Sequence, residues 1–581
     1  MKLSDYVADF LSKITNHVFV GQGSSVIHLL DSLGKKNNVK VIPSQNEQGA
    51  AIAADAYSRI NGRYGVSIAT SGPGMLNLMQ GIACSYFDSV PTLHISGAVI
   101  TPHLRKDPKL RQQGFQEMEV VDLVNPITKY AVLLKDKNKI RYELEKMFYI
   151  SKEGRPGPVL MDLPDDIQRM EVNPEELEGF DERDAKTKNN IDIKFEDDLI
   201  KEISKAKRPL IIPGYGVTVS KTSKELFNFI EKTGIPYAPT WAVVDLFSDS
   251  DEKNAGTFGV AATRFGNFAV QNSDLIIVLG CRLNTQLTGG KINTFAEKAK
   301  KIVVDIDLAE LNKENGLKID LKINLDLKEF FNKTEKLNFD KKDYSKWIKK
   351  FKLWKKKYPI CLPSYLEQSE KVNPYVFMQE LSLKTGKNDI LIPDASANLI
   401  WALQAFKING QKVFTAFNHS PMGYSMAATV GAYFADQTKN VICTIGDGSM
   451  QMNIQELETI SFYKLPVKIF VINNGGYGLI KQTQETWLNS FKVGVDEDSG
   501  LGMPDMQKIA KAYDIETCEI NNHNELKEKM DYVLKLKKPI LCDVKIKSDQ
   551  RVFPKIEFGK PIHDMTPFLD REELNDNMID E

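Results

Sequence analysis

Cysteine is scarce and badly placed for pairing: six residues, at 84, 281, 361, 443, 518 and 542, with no CxxC among them. The seven histidines are scattered as well. Neither a zinc site nor a disulfide framework is written in such spacing. Charge of one sign is missing too, since 76 Lys+Arg against 77 Asp+Glu leave −1. That balance argues against a nucleic-acid partner, which asks for a basic surplus. No apolar run reaches the roughly 18 residues that a membrane helix needs. The opening MKLSDYVADFLSKITNHVFV carries acidic residues instead of a signal peptide's basic-then-apolar order. What remains is a cytoplasmic enzyme or a large binding protein with no membrane contact. Its 581 residues, 42% hydrophobic and 26% charged, have ordinary globular composition and suggest three to four domains.

Two stretches share one grammar. An apolar strand at Val66 to Ala69 meets the turn Gly72-Pro73-Gly74, then a helix, then a strand opened by Pro91. Near the other end, a strand reaching Ile445 meets Gly446-Asp447-Gly448, then a helix, then a strand opened by Pro466. The turn-to-proline spacings are 20 residues (Ser71 to Pro91) and 19 (Asp447 to Pro466). Continuous apolar strands alternating with amphipathic helices indicate βαβ units in parallel sheets covered on both faces. The likeness fits two copies of one domain or two unrelated Rossmann-like folds.

Between them, Arg208 to Gly216, Asp274 to Arg282 and Lys301 to Asp307 read as short apolar strands ending in Gly or Asp. Ligands at open parallel sheets lie beyond such ends, although glycines also simply close strand-helix turns. Glu175 to Asp198 reads as a linker. Lys341 to Lys357 reads as a Lys-rich helix whose Trp347, Phe351 and Trp354 form a docked stripe. A polyanion-binding face is the sharper alternative for its lysines.

The sharpest motif is Gly446-Asp447-Gly448-Ser449, followed by Asn474, 27 residues beyond Asp447, within Asn473-Asn474-Gly475-Gly476-Tyr477-Gly478. Gly446 and Gly448 let backbone N–H groups approach a pyrophosphate, and the next helix offers its positive end. Asp447 and Asn474 each close a strand, so adjacent strands bring their oxygens together. With a backbone carbonyl they would hold Mg²⁺ and leave room for phosphate and water.

Here the chain resembles the thiamine diphosphate enzymes of the acetolactate synthase / pyruvate oxidase family, over roughly residues 3–545. The resemblance implies an α/β fold of three doubly wound parallel-sheet domains: pyrimidine-binding (1–175), central (190–335) and pyrophosphate-binding (370–548), then a tail (549–581). It implies Mg²⁺ on Asp447, Asn474 and the Gly476 carbonyl, and Met422 as the apolar support that bends the cofactor. Glu47, otherwise an acid in the first turn of an Ala-rich helix, becomes the carboxylate that pairs with the aminopyrimidine ring. Gly72 and Asn77 match the turn near that ring, Gly23 the loop facing the thiazolium, and Phe115-Gln116-Glu117 an element on the substrate side. Ser396, Ala397 and Asn398 replace a usual Gly-Gln-His, so pyrophosphate contacts there must be partly backbone. Ser449, Tyr477 and Gly478 complete the cofactor set.

In the middle domain the resemblance places FAD, in a structural role, at Gly214, Gly216, Gly280, Arg282, Asp305 and Asp307. Gly256-Thr257-Phe258-Gly259 stands where flavin-containing members carry Gly-Met-His-Gly. The family assembles as homodimers or dimers of dimers, with one chain's pyrimidine domain facing its partner's pyrophosphate domain.

Three departures bear on the substrate. Thr483 replaces a Trp of true acetolactate synthases, Ala98 a Gln, and Asp165 a Lys. Together with the tail, which resembles family members of surface-polysaccharide (yersiniose-type) synthesis, they imply a wide acceptor pocket. The expected reaction is decarboxylation of a 2-keto acid, pyruvate, and transfer of the two-carbon unit to a carbonyl acceptor such as a nucleotide-linked keto sugar. Acetolactate synthesis, simple decarboxylation or oxidation, and a catalytically silent nucleotide-binding protein are the alternatives. A nicotinamide dehydrogenase would need GxGxxG and an acid about 20 residues on, which neither strand-turn unit shows.

Overall fold

The computed structural model describes residues 1–185 and 194–579. Three parallel sheets organise them. The first holds β1 (His17–Val20), β2 (Lys40–Pro43), β3 (Gly65–Ala69), β4 (Thr92–Ala98), β5 (Tyr130–Leu133) and β6 (Val159–Pro164), in the order β2-β1-β3-β4-β6-β5. The second holds β7 (Pro209–Pro213), β8 (Leu275–Leu279), β9 (Lys300–Val304) and β10 (Leu321–Ile323), in the order β10-β9-β8-β7. The third holds β11 (Asp389–Pro393), β12 (Lys412–Val413), β13 (Asn440–Gly446), β14 (Lys468–Asn473), β15 (Glu516–Ile520) and β16 (Ile540–Lys545), in the order β12-β11-β13-β14-β16-β15. The first and third orders are one permutation. The internal likeness read in the sequence is therefore a shared topology. Every residue of β3, β4, β6 and β8 is buried, which is why these strands read as unbroken apolar runs.

The first and third units also pack on each other through matching helices. Helix Glu47–Asn61 follows β2, and helix Tyr424–Ala435 follows β12. The former begins at Asn46, whose side chain accepts the Gln48 N–H at 2.8 Å, and ends at Gly62 with φ +66°. Small side chains let the two backbones close: a Cβ on Gly431 would stand 2.0 Å from the Ala53 carbonyl oxygen. A buried ionic cluster fastens this junction. The Arg59 guanidinium donates to Asp55 (2.7 Å), Asp88 (2.9 Å) and the Thr415 carbonyl (3.1 Å). Asp88 accepts the N–H groups of Phe417 and Asn418, and the Tyr424 hydroxyl donates to Asp55. Breaking such a buried pair from one side typically costs about 3–5 kcal/mol.

The last segment, expected as a tail, is part of the central unit. It forms the antiparallel pair β17 (Lys555–Ile556) and β18 (Met565–Thr566). Ile556, Ile562, Met565 and Leu574 enter the central core, and Arg264 donates to the Pro567 carbonyl at 2.7 Å. The Lys-rich helix, Ser345–Lys357, buries Trp347, Phe351 and Trp354 in that same core while most of its lysines face solvent. Part of the expected linker is helical: helix Glu196–Lys205 starts with Glu196, Asp197 and Asp198 in its first turn. Those acids suit the helix dipole, and in the sequence they looked like linker charge. Residues 186–193 of that linker lie outside the described residues. Among the described residues no helix is long and apolar enough to cross a membrane.

Candidate active site

Glu47 opens its helix half-buried, and the first unit surrounds it. Asn77 Nδ2 donates to Glu47 Oε2 at 2.9 Å. Its other oxygen, Oε1, faces Gly21 and Gly74: Cβ atoms there would lie 3.0 and 3.2 Å from it. At Gly21 a Cβ would also overlap Glu47 Cγ at 2.1 Å, so only glycine leaves the carboxylate this place. Gly23 lies against the Thr70 side chain (2.4 Å from its Cβ position), and Gly72, φ +59°, under the Gln116 carbonyl. Gln116 itself has φ +63°, and Phe115 beside it is 84% exposed. The loop is held from inside by Glu117, which accepts the Gln113 N–H at 3.1 Å.

Asp447 sits past the end of β13 and is buried. Its Oδ1 accepts the Gly448 N–H (2.9 Å), and its Oδ2 those of Gly475 (2.7 Å) and Gly476 (3.1 Å). Burial pushes its carboxyl up to about 6, although these donors oppose the shift. The Asn474 amide brings its oxygen to 2.8 Å from the Gly476 carbonyl oxygen and 3.3 Å from Asp447 Oδ1. Exchanging that oxygen for the amide nitrogen would make two hydrogen bonds. Left as oxygen, it completes a cage of three oxygens that repel one another unless a cation lies among them. We favour the cage, because one carboxylate, one amide and one carbonyl are the hard, partial ligand set that leaves Mg²⁺ its phosphate and water ligands. Among the described residues no three His, Cys, Asp or Glu gather for a metal.

The neighbouring cofactor residues take definite places. The Tyr477 ring covers Gly448, where a Cβ would stand 2.2 Å from it, and Gly478 abuts Asn474 Nδ2. Gly446 is open, with Ser449 Oγ 3.8 Å from its Cβ position. Ser396, φ +70°, caps helix Ala397–Ala405. Asn398 spends its Nδ2 on the Asp394 and Thr444 carbonyls (3.1 and 2.7 Å) and leaves its Oδ1 without a partner. Met422 stands on a turn held by Asp394, which accepts the Gly423 and Ser425 N–H groups at 3.0 and 2.9 Å.

Gly216, Gly280, Arg282 and Asp305 line a cavity of about 650 Å³ at the junction of all three units. Gly214 lies behind it, packed on the Gly280 carbonyl, and Asp307 pairs with Arg155 of the first unit at 2.9 Å. Burial raises the Asp305 carboxyl. Thr218 Oγ1, Trp241 Nε1 and Asn284 Oδ1, on residues around this cavity, have no hydrogen-bond partner. Such orphaned atoms, with a glycine-lined wall and Arg155 and Arg282 nearby, fit a nucleotide. Gly256 and Thr257 line a different cavity, of about 740 Å³, between the second and third units.

Of the three substrate-pocket positions, two are neighbours. Ala98 pairs in register with Pro164, next to Asp165. Asp165 binds Arg169 at 3.1 Å and lies 3.8 Å from His28 Nε2. Thr483 is on helix Gly478–Trp487 of the third unit, its hydroxyl turned back to the Leu479 carbonyl at 3.0 Å. Among the described residues no hydrogen bond or ion pair joins Thr483 to Ala98 or Asp165, or Glu47 to Asp447.

Three residues escaped the sequence reading. Gly21 shapes the Glu47 niche, and Asp394 sets the Met422 turn. Glu456, buried and pushed up to about 7 by that burial, accepts the Asn46 N–H at 3.3 Å, beside Glu47. Asp394 follows an apolar strand as Asp447 does, so the same signal could have found it. Glu456 carries no such mark.

Comparison with known proteins agrees in outline. Residues 1–123, 197–334 and 394–544 match the N-terminal TPP binding, central and C-terminal TPP binding domains of thiamine pyrophosphate enzymes. The acetolactate synthase large subunit of Cyanidium caldarium is 32% identical, across 94% of this chain and 93% of its own length. Acetolactate synthase 2, chloroplastic, of Nicotiana tabacum is 31% identical across 97% and 85%. A probable acetolactate synthase large subunit of Methanococcus aeolicus is 32% identical across 90% and 88%.

Proposed function

The chain belongs to the thiamine pyrophosphate enzymes of the acetolactate synthase type, a decarboxylating carboligase, and on that premise we propose that it takes pyruvate as donor and a bulky neutral carbonyl, such as a nucleotide-linked keto sugar, as acceptor. Thr483 carries this reading. Its short side chain is folded onto its own helix, which removes at this position the bulk of the Trp that the family resemblance would place there. Asp165, paired with Arg169, stands where a Lys would have attracted a second pyruvate carboxylate.

In this reading Asp447, Asn474 and the Gly476 carbonyl hold Mg²⁺, Met422 supports the thiazolium side, and the pyrimidine ring lies at Glu47. Thiamine diphosphate, when bound, supplies the carbanion chemistry that no side chain offers. Asn77 occupies Glu47 Oε2, so Oε1 is the atom that would hold a proton toward the ring nitrogen of a bound cofactor. Gln116 and Phe115 border the substrate side. Gly216, Gly280, Arg282 and Asp305 would hold FAD in the cavity between the units, in a structural role, since carboligation transfers no net electrons. Glu47 finds its partners in the first unit and Asp447 in the third, which suits a homodimer, or a dimer of dimers, whose sites form between chains. Six free thiols suit a reducing, cytoplasmic setting.

Mass spectrometry of products from labelled pyruvate, with and without nucleotide keto sugars, tests the acceptor. A labelled sugar adduct formed faster than acetolactate is expected. The relatives' names favour the second reading, acetolactate synthase, which efficient acetolactate formation with no gain from any sugar would establish.

A further inference from the structure

We propose that Cys518 and Cys542 form a reversible intrachain disulfide when the protein meets a hydroperoxide. The two residues stand directly opposite each other in parallel strands β15 and β16. Opposed residues project from the same face of the sheet. Strand spacing of about 4.8 Å falls inside the Cα separation of roughly 4.4–6.8 Å that a disulfide spans.

Access and reactivity are divided between them. β15 is the outermost strand of its sheet, and Cys518 on it is half-buried, so an oxidant reaches that sulfur. Cys542, one strand inward, is buried and faces Cys518. The neighbouring Cys542 thiol pulls the Cys518 thiol down to about 7, with help from the Lys529 ammonium and against partial burial. Lys529 is held nearby by the Glu519 carbonyl at 2.8 Å. Burial drives every other thiol the opposite way: Cys84, Cys281, Cys361, Cys443 and Cys542 are all raised. Cys518 is thus the one thiol of the six shifted toward the thiolate, and Cys542 stands opposite it as a resolving partner.

The step balances. The Cys518 thiolate attacks the peroxide, forming S–O as O–O breaks, and the leaving oxygen takes a proton to become water or an alcohol. The Cys542 sulfur then displaces water from the sulfenic acid, its thiol proton leaving with that water. Two electrons pass from the sulfurs to the peroxide. The bond closes a loop that contains helix His523–Lys535 and lies one residue before Asp543, which accepts Asn473 Nδ2 at 3.0 Å beside the cation cage.

The experiment treats the full-length protein with hydrogen peroxide, alkylates remaining thiols in denaturant, and maps peptides by mass spectrometry. The expected product is a 518–542 cross-linked peptide two hydrogens lighter than its parts, with the other four cysteines alkylated and the link removed by a dithiol. Cys518→Ser should leave Cys542 alkylatable, and Cys542→Ala should send Cys518 on to sulfinic acid. Cys518 is only half-buried and lies on the edge strand, so Cys518→Ser disturbs the core less than Cys542→Ala and serves even if the buried variant folds poorly. Equal alkylation of all six cysteines, a link between chains, or an overoxidised Cys518 beside a reduced Cys542 in the unaltered protein would each overturn the proposal.

Discussion

The first and third sheets run their strands in one order yet place opposite chemistry at matching positions. The turn after β2 leads to Glu47, and the matching turn after β12 leads to Met422. β13 runs into Asp447, clasped by three N–H groups, whereas β3 runs into Thr70, Ser71 and Gly72 without an acid. A third pair lies inside the sheets. Asp162 and Asp543 are both the fourth residue of their strands, β6 and β16. Asp543 has Asn473 Nδ2 at 3.0 Å and the Lys545 ammonium at 2.6 Å. Among the described residues the Asp162 carboxyl has only the Ser96 hydroxyl as a hydrogen-bond partner, at 2.6 Å, and burial lifts it to about 7. A shared core fixes where loops begin, and the loops beyond the strand ends are free to diverge into two halves of one site.

The largest expected effect breaks the third unit's half. Asp447→Ala should lower Mg²⁺-dependent affinity for thiamine diphosphate by at least ~100-fold, read by calorimetry. Unchanged affinity would remove the cage. Next, Glu47→Gln should leave cofactor affinity within a few-fold while slowing turnover by about 10²–10⁴. Hydrogen–deuterium exchange at C2 of the bound cofactor, followed by NMR, should slow in step. If the two variants behaved alike, the division of labour between the halves would be lost.

A smaller effect sharpens the Asp162–Asp543 contrast. The folded Asp162 keeps its proton to about pH 7, while the unfolded chain releases it near 4. Its contribution to stability is therefore full below pH 4 and declines by a few kcal/mol as pH rises to 7. Asp162→Asn should flatten that slope in urea titrations run at several pH values, and an unchanged slope would contradict the assignment. The smallest change concerns the acceptor: Thr483→Trp should shift the product ratio toward acetolactate by about tenfold, measured with paired acceptors.

Much of this was legible in the sequence because parallel strands buried on both faces leave continuous apolar runs, and because Gly446-Asp447-Gly448 and Asn474 mark strand ends. Asn77 and Glu47 were each singled out, and the structure joins them. The tail was not legible. Ile556, Ile562, Met565 and Leu574 are spread through a Pro- and charge-rich segment with no period, so only the tertiary contacts reveal that they belong to the central core. The Arg59–Asp55–Asp88 cluster was equally hidden, since its members look like ordinary charges on two helices until the third unit packs over them. Gly256-Thr257-Phe258-Gly259 stands at the place of the family's flavin motif, and the structure turns Gly256 and Thr257 toward the second cavity while Gly259 packs on Gln286 and Leu287 at the first.

The central claim, that two similar domains each hold half of a site completed by a second chain, has a direct test. Glu47→Gln and Asp447→Ala proteins, each inactive alone, are mixed under conditions that exchange subunits, and turnover of pyruvate is followed. A hybrid dimer then contains one site with both defects and one site with neither. Activity should recover to about a quarter of the unaltered enzyme's, as half the dimers are hybrids with one intact site each. Mixtures that exchange subunits yet stay inactive would contradict the account and place both carboxylates of a site in one chain.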